Sequence, residues 1–405
     1  MTSRPLGTSL SLLLLTLGVG MIALLLHLDR HVQQQMTRNI RDIDMVVGAK
    51  GSPLQLILSA VYHVDAPTGN IALSEARKLK RNRLVAATIP LSYGDSHEGF
   101  RIVGTDHQYP ELYQATMANG RLWEAPFEVT LGATVAHKLN LNIGDVFEGA
   151  HGLSEGGEIH GEHSYRVVGV LNRTNSVMDQ LILTATESVW NVHDHGAEEE
   201  GHSKHEDHIH EHDHDEAPHA EHKGEREITA MLVKFRSPLA MVQLPRMVNE
   251  KTNMQAAVPV LEIDRLFGLM GVGVDALSAI AWVVMAVSGF SVFISLFSAL
   301  KAREYEMALM RTYGASRWQL VGLVLQEGLL LIVIGFILGI LFSRLGLFLV
   351  SGLLEDTYHY TFSAWAWLVE EGWLLVASLG IGLLASLIPA VRAFRVNISQ
   401  TLIDA

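Results

Sequence analysis

The residues best suited to chemistry crowd into one stretch. His193, His195, His202, His205, His208, His210, His212, His214, His219 and His222 fall within thirty positions, interleaved with Asp and Glu. Imidazole nitrogen together with carboxylate oxygen suits Zn2+, and also Ni2+ or Cu2+. The H-x-H-x-H-x-H spacing brings several ligands within reach of one ion in an extended chain. It predicts several weak, exchanging sites and no single closed tetrahedron. A solvated low-complexity loop without a ligand is the plainer alternative. Protonation below about pH 6 would release the metal. His151, His160 and His163 lie in a Gly/Glu-rich stretch and could join these sites, with loop histidines as the plainer reading.

Other chemistry is scarce. Cysteine is absent, which excludes thiol nucleophiles, thiolate metal sites and disulfides. There is no Gly-Lys dipeptide, so no phosphate-binding loop of the G-x-x-x-x-G-K-[ST] type exists in this chain. The Ser, His and Asp present are read as forming no catalytic constellation, and the chain as a non-catalytic subunit. Glu327 is a lone carboxylate inside an apolar run. Such a residue is a functional candidate by default. Here Gln326 precedes it two turns from the end of the run, which favours a helix-contact or interfacial role over a proton or ion path.

These residues must be positioned by a membrane protein. Over 405 residues, 49% are hydrophobic, only 18% are charged, and mean hydropathy is positive. The net charge is -13, and the tract at 193–222 supplies -10 of it through eleven acidic residues and one lysine. Such a chain is a poor nucleic-acid binder. Four apolar stretches are long enough to cross a bilayer, which takes about 20 helical residues. They are 6–28, 276–300, 320–343 and 372–391. The first exceeds a signal peptide's apolar region and lacks a small-residue cleavage site, so it reads as a retained anchor.

Lys and Arg set the orientation. Lys301, Arg303, Arg311 and Arg317 lie between the second and third spans, and Arg392 and Arg395 follow the fourth. The loop 344–371 carries Glu355, Asp356, Glu370 and Glu371, with no Lys or Arg from 352 onward. The loop 301–319, both termini and the tail 392–405 are therefore expected in the cytoplasm, and residues 29–275 outside. Strand patterns at 43–47, 84–91, 100–104, 165–171, 181–184 and 228–235 alternate with helical patterns at 53–63, 131–139 and 238–251. Asn119-Gly120 and Gly144-Asp145 read as turns. The outside segment is expected to be one α+β domain of one or two lobes, with the tract as an insertion in it. Residues 261–274 are apolar and unbroken, so the second span is expected to extend outward as a stalk. The fold class is an α-helical membrane protein with four transmembrane helices (one plus three) and an extracytoplasmic α+β core domain between helices one and two.

Within the loop 303–317 the run E-x-A-L-M-R-T-Y-G-A-S-R reads as a short amphipathic helix, a stop at Gly314 and a restart at Ser316. It resembles the cytoplasmic signature of MacB/FtsX/LolC-type ABC transporter permeases. MVVGAKGSPLQLILSAVYHVDAPTGN at 45–70 resembles the start of the extracytoplasmic core domain in one branch of that superfamily. I-P-A-V-R-A-F-R-V-N-I at 388–398 resembles its C-terminal pattern. With the one-plus-three spans the resemblance covers nearly the whole chain, and the histidine tract departs from it.

The resemblance implies a half-transporter of the bacterial inner membrane. It pairs with a second permease copy, identical or different, and with a separate cytoplasmic ABC ATPase that binds ATP. A periplasmic partner is a further expectation. Glu304, Glu306, Arg311, Gly314 and Arg317 would then lie on a coupling helix resting on the ATPase, and spans one and two would carry motion to the outer domain. The tract favours a link to zinc or another divalent metal. Lipoprotein, peptide or lipid export or extraction with an incidental tract is the alternative, as is a membrane-anchored metal-binding scaffold. A secondary metal carrier fits poorly, because no Asp lies inside the spans and His27 sits at a boundary.

Overall fold

The computed structural model describes residues 5–151, 159–199, 226–358 and 367–394. In chain order the elements begin with α1 (Pro5–Asn39), β1 (Met45–Ala49), α2 (Pro53–Ala60), β2 (Ile71–Ala72), α3 (Leu73–Lys80), β3 (Val85–His97) and β4 (Phe100–Thr105). Next come α4 (Gln108–Leu112), β5 (Met117–Gly120), β6 (Glu128–Leu131), α5 (Ala133–Lys138), β7 (Val146–His151), β8 (Ile159–Leu171) and β9 (Ile182–Ala185). The chain continues through α6 (Thr186–Glu199), β10 (Glu227–Ile228), β11 (Ala230–Phe235), α7 (Ala240–Lys251) and β12 (Met254–Ala257). It closes with α8 (Pro259–Ala302), α9 (Glu304–Thr312), α10 (Arg317–Tyr358) and α11 (Val369–Phe394). Two units result, one made of residues up to Gln34 and from Gly268 onward, the other of Gln35–Phe267.

The first unit is helical. Helices α1, α8, α10 and α11 are each long and apolar enough to cross a membrane. Their exposed faces are apolar, for example Leu13, Val283, Phe290, Leu341 and Leu384. That pattern is stable only in lipid. Buried Leu15, Val19, Met285, Leu331, Ile332 and Leu374 form the contact between them. At 1.5 Å per residue α8, with 44 residues, is about 66 Å long against a hydrocarbon core of about 30 Å. Residues 261–274, expected to continue the second span, are part of that helix. Helix α10 runs to Tyr358, so residues 344–358, read as the start of a loop, are helical. The single charge of Arg344 had ended the apolar run on paper, but the leucine-rich sequence after it keeps its helix propensity.

The second unit is a mixed sheet with helices packed on it. The strand order is β12-β1-β11-β3-β4-β9-β6-β8-β5, with β7 pairing to β3 and β8, and a separate small pair β10-β2. The pivot is β3. Its first half pairs with β11, from Leu91↔Ala230 to Val85↔Phe235, and its second half pairs with β4, from Ser92↔Gly104 to His97↔Phe100. One 13-residue strand thus serves two lobes. Pairs β4-β9 and β6-β8 are parallel, and the other strand pairs are antiparallel.

The expected strands are present, four with ends shifted by one or two residues, while β3 ends six residues later and β8 begins six residues earlier than expected. Short β5, β6, β7 and β12 were not anticipated, and Asn119-Gly120, read as a turn, closes β5 against β8. Helix α2 starts where the sequence says it should. Ser52 caps it by accepting the Gln55 amide at 3.4 Å, and Pro53 takes the first position. It stops at Ala60, short of the expected residue 63, because His63 adopts φ +56.

The second unit also fixes the end of α1. The last turn of a helix leaves carbonyls without helical partners. Tyr62 donates to the Met36 carbonyl at 3.1 Å, and Tyr113 to that of Asn39 at 2.8 Å. The Val177 amide donates to Asn39 Oδ1 at 3.0 Å, and Arg38 Nη1 to the Asn175 carbonyl at 3.2 Å.

Candidate coupling site

Helix α9 sits between α8 and α10 and is held in place from both ends. Met307 and Ala308 are buried, and Met307 packs with Leu300, Leu320, Val324, Ala390 and Ala393. Glu304 and Glu306 occupy its first turn and Arg311 its last. That distribution complements the helix dipole, so these charges stabilise α9 whatever else they do.

The exit from α9 is a Schellman turn. The Gly314 amide donates to the Arg311 carbonyl at 3.1 Å, and the Ala315 amide to the Met310 carbonyl at 3.0 Å. Gly314 has φ +100 with open space around it, so backbone conformation and not crowding requires glycine. The restart at Ser316 is a reciprocal capping box. The Gln319 amide donates to Ser316 Oγ at 3.3 Å, and the Ser316 amide to Gln319 Oε1 at 2.7 Å. Helix, stop and restart are all as read from the sequence.

The arrangement leaves an apolar and aromatic face uncovered. Tyr305, Leu309 and Met310 are exposed, Tyr313 is 84% exposed and Trp318 75%. Arg317, expected on this surface, lies over the Phe394 ring at 5.3 Å, and Trp318 meets the same ring edge-on at 5.6 Å. Glu327 is half-buried and lies 3.9 Å from Arg303, the residue that joins α8 to α9.

The metal reading falls largely outside the described residues. His202, His205, His208, His210, His212, His214, His219 and His222 lie there, and only the backbone of His193 and His195, on α6, is described. Among the described residues no group of three His, Asp or Glu is placed to hold a metal. Two short motifs also escaped the sequence reading. G-L-S-E-G at 152–156 matches a nucleophile-elbow spacing, and H-E-H-D-H at 210–214 matches a zinc-protease spacing. Both segments lie outside the described residues.

The sequence reading also missed a cluster of three polar side chains on three helices. His27 of α1 lies 3.0 Å from Glu371 of α11, and both are fully buried. Arg344 of α10 donates from Nη2 to both Glu371 carboxylate oxygens at 2.9 Å, and its Nη1 meets His27 Nε2. The Leu368 amide adds a bond to Glu371 Oε2 at 3.2 Å. Each residue stands near the edge of an expected span, so none registered as intramembrane.

Comparisons with known proteins match two parts of the chain. Residues 8–241 match the model of the MacB-like periplasmic core domain, and residues 278–398 that of the FtsX-like permease C-terminal. Among solved structures, the periplasmic region of MacB from Actinobacillus actinomycetemcomitans is 15% identical, covers 57% of this chain and 98% of its own, with a TM-score of 0.34. The extracellular domain of the noncanonic ABC-type transporter YknZ from Gram-positive bacteria is 12% identical, covers 52% and 98%, with a TM-score of 0.31. A comparison with curated proteins gives no match. With its core-domain model spanning more than half of the chain and the permease model covering the last three membrane helices, this protein belongs to the MacB/FtsX-type family of ABC transporter permeases.

Proposed function

We propose that this chain couples ATP hydrolysis by a separate cytoplasmic ATPase to movement of its β-rich domain outside the membrane, as one half of a permease dimer. The observation that carries the reading is α9. Helix α9, the Schellman turn that ends it and the first turn of α10 present Tyr305, Leu309, Tyr313 and Trp318 uncovered between two membrane helices. Exposed aromatic anchors on a rigid element are what a partner's pocket engages most strongly. The density of Lys and Arg in this segment favours the cytoplasmic side, where the nucleotide-binding subunit would be. The chain lacks a phosphate loop of its own. Movement would leave the membrane through α1 and α8, and α1 ends in a turn clamped by Tyr62, Tyr113 and Val177. Capture of the full chain from its own membranes, with assay of the ATPase that accompanies it, tests this reading.

A role in zinc or other divalent-metal handling is favoured by the composition of 193–222. Cells lacking the gene, complemented with the full chain or with one lacking 193–222, separate the possibilities. Restoration of the content of one metal by the full chain alone supports metal handling. Unchanged zinc, nickel and copper contradict it and leave lipoprotein, peptide or lipid handling.

A further inference from the structure

The His27–Arg344–Glu371 cluster has no part in ATPase docking or in the histidine tract. It lies at the ends of the helices far from α9, since Arg344 is 27 residues beyond the start of α10 and Glu371 is in the first turn of α11. Charges are rare inside a membrane protein and are found paired. Here one largely buried cation, Arg344, faces one buried carboxylate, Glu371. Arg344 is 12% exposed and balances Glu371, and the α11 N-terminus and the Leu368 amide also favour the carboxylate. His27 brings α1 into the same group. A second, looser pair, Arg30–Glu370 at 3.8 Å, links α1 to α11 one turn away and is exposed.

Below the cluster, α1 and α10 are packed too closely to slide. A Cβ added at Gly335 would stand 2.4 Å from Leu15, and one at Gly339 2.8 Å from Val19. The contact of α1 with α8 is also close at one point, where a Cβ added at Gly18 would stand 3.2 Å from the Met285 backbone, but its polar contacts are the hydroxyl pairs Ser11–Ser291 at 2.8 Å and Thr8–Ser295 at 3.4 Å, with no ion pair among them. Neutral hydroxyl pairs exchange partners cheaply. A buried ion pair does not open without leaving an uncompensated charge.

We infer that His27, Arg344 and Glu371 form a strut that binds the far end of α1 to α10 and α11, so that these three helices move as one body. The inference rests on the coupling reading for its purpose: motion imposed where α9 joins α10 would reach α1 through this strut. The three are positioning residues.

The test needs no ATPase, so failure of the coupling reading leaves it unaffected, and its own failure leaves ATPase docking unaffected. The chain has no cysteine, so Gln34→Cys and Gly352→Cys place spin labels on α1 and α10 beyond the cluster without background. In the full-length protein, labelled chain diluted in an excess of unlabelled cysteine-free chain and placed in lipid nanodiscs, so that distances between copies do not contribute, electron–electron distance measurement should give one narrow peak. Glu371→Gln should split that peak or broaden it by about two-fold or more, while Glu370→Gln, at the exposed pair, should leave it narrow. A Glu371→Gln peak as narrow as the native one overturns the strut, as does equal broadening by Glu370→Gln. If Glu371→Gln does not fold, Arg344→Lys keeps the charge but loses the two-pronged contact, and an unchanged peak there overturns the inference in the same way.

Discussion

His63 is the residue whose environment makes the sharpest demand on solution conditions. It is buried, its Nε2 lies 2.7 Å from the Tyr109 hydroxyl, and its ring meets Tyr93 edge-on. Arg101 stacks over Tyr93 at 4.8 Å. Burial first, and the Arg101 charge second, hold the His63 pKa well below its ordinary 6.5. The unfolded chain takes up a proton near 6.5 and the folded one does not. This group therefore costs nothing above about pH 6.5, and below it stability falls by up to about 1.4 kcal/mol per unit. His63→Asn, which tolerates positive φ, should flatten the thermal-midpoint slope of the full chain between about pH 5 and 7. An equally steep slope in that variant would assign the effect to other groups. At this scale the sequence misleads in an instructive way. The histidines that stand out by number are in 193–222, whereas His63 and His27 draw their character from burial and from partners 46 and 344 positions away. No local spacing encodes such partners.

At the scale of elements, α9 and its joints were legible because their signals are local: acidic residues at the start, Arg311 at the end, a glycine stop and an S-x-x-Q restart. The short strands were not legible. β5 reads Met-Ala-Asn-Gly and β12 Met-Gln-Ala-Ala, and neither alternates. They are strands only because β8 and β1 supply partners, a non-local cause. The joint at Gly314 yields a direct prediction. Gly314→Ala forces a side chain into φ +100, at a cost of about 1–2 kcal/mol. Amide hydrogen exchange across 304–316 should quicken about five- to thirty-fold, with membrane helices elsewhere unchanged. Unaltered exchange there would mean that the Schellman turn does not hold α9.

At the scale of the whole molecule, hydropathy was enough to read one membrane helix, a large domain and three more helices, because bilayer thickness imposes helix length. Arg344 shows where that reasoning stops: a charge marks the end of an apolar run on paper, yet the helix continues 14 residues past it. The Glu371 carboxylate that compensates the charge comes from another helix. The central claim is that the α9 surface docks an ATPase. The full chain and its Tyr313→Ala/Trp318→Ala variant should be captured in equal amounts from the membranes of the source cells, and ATP hydrolysis measured per mole of captured chain. The native chain should bring down ATPase activity, and the variant about ten-fold less, as expected for loss of two exposed aromatic anchors. Equal activity with both, or none with the native chain, would contradict the account.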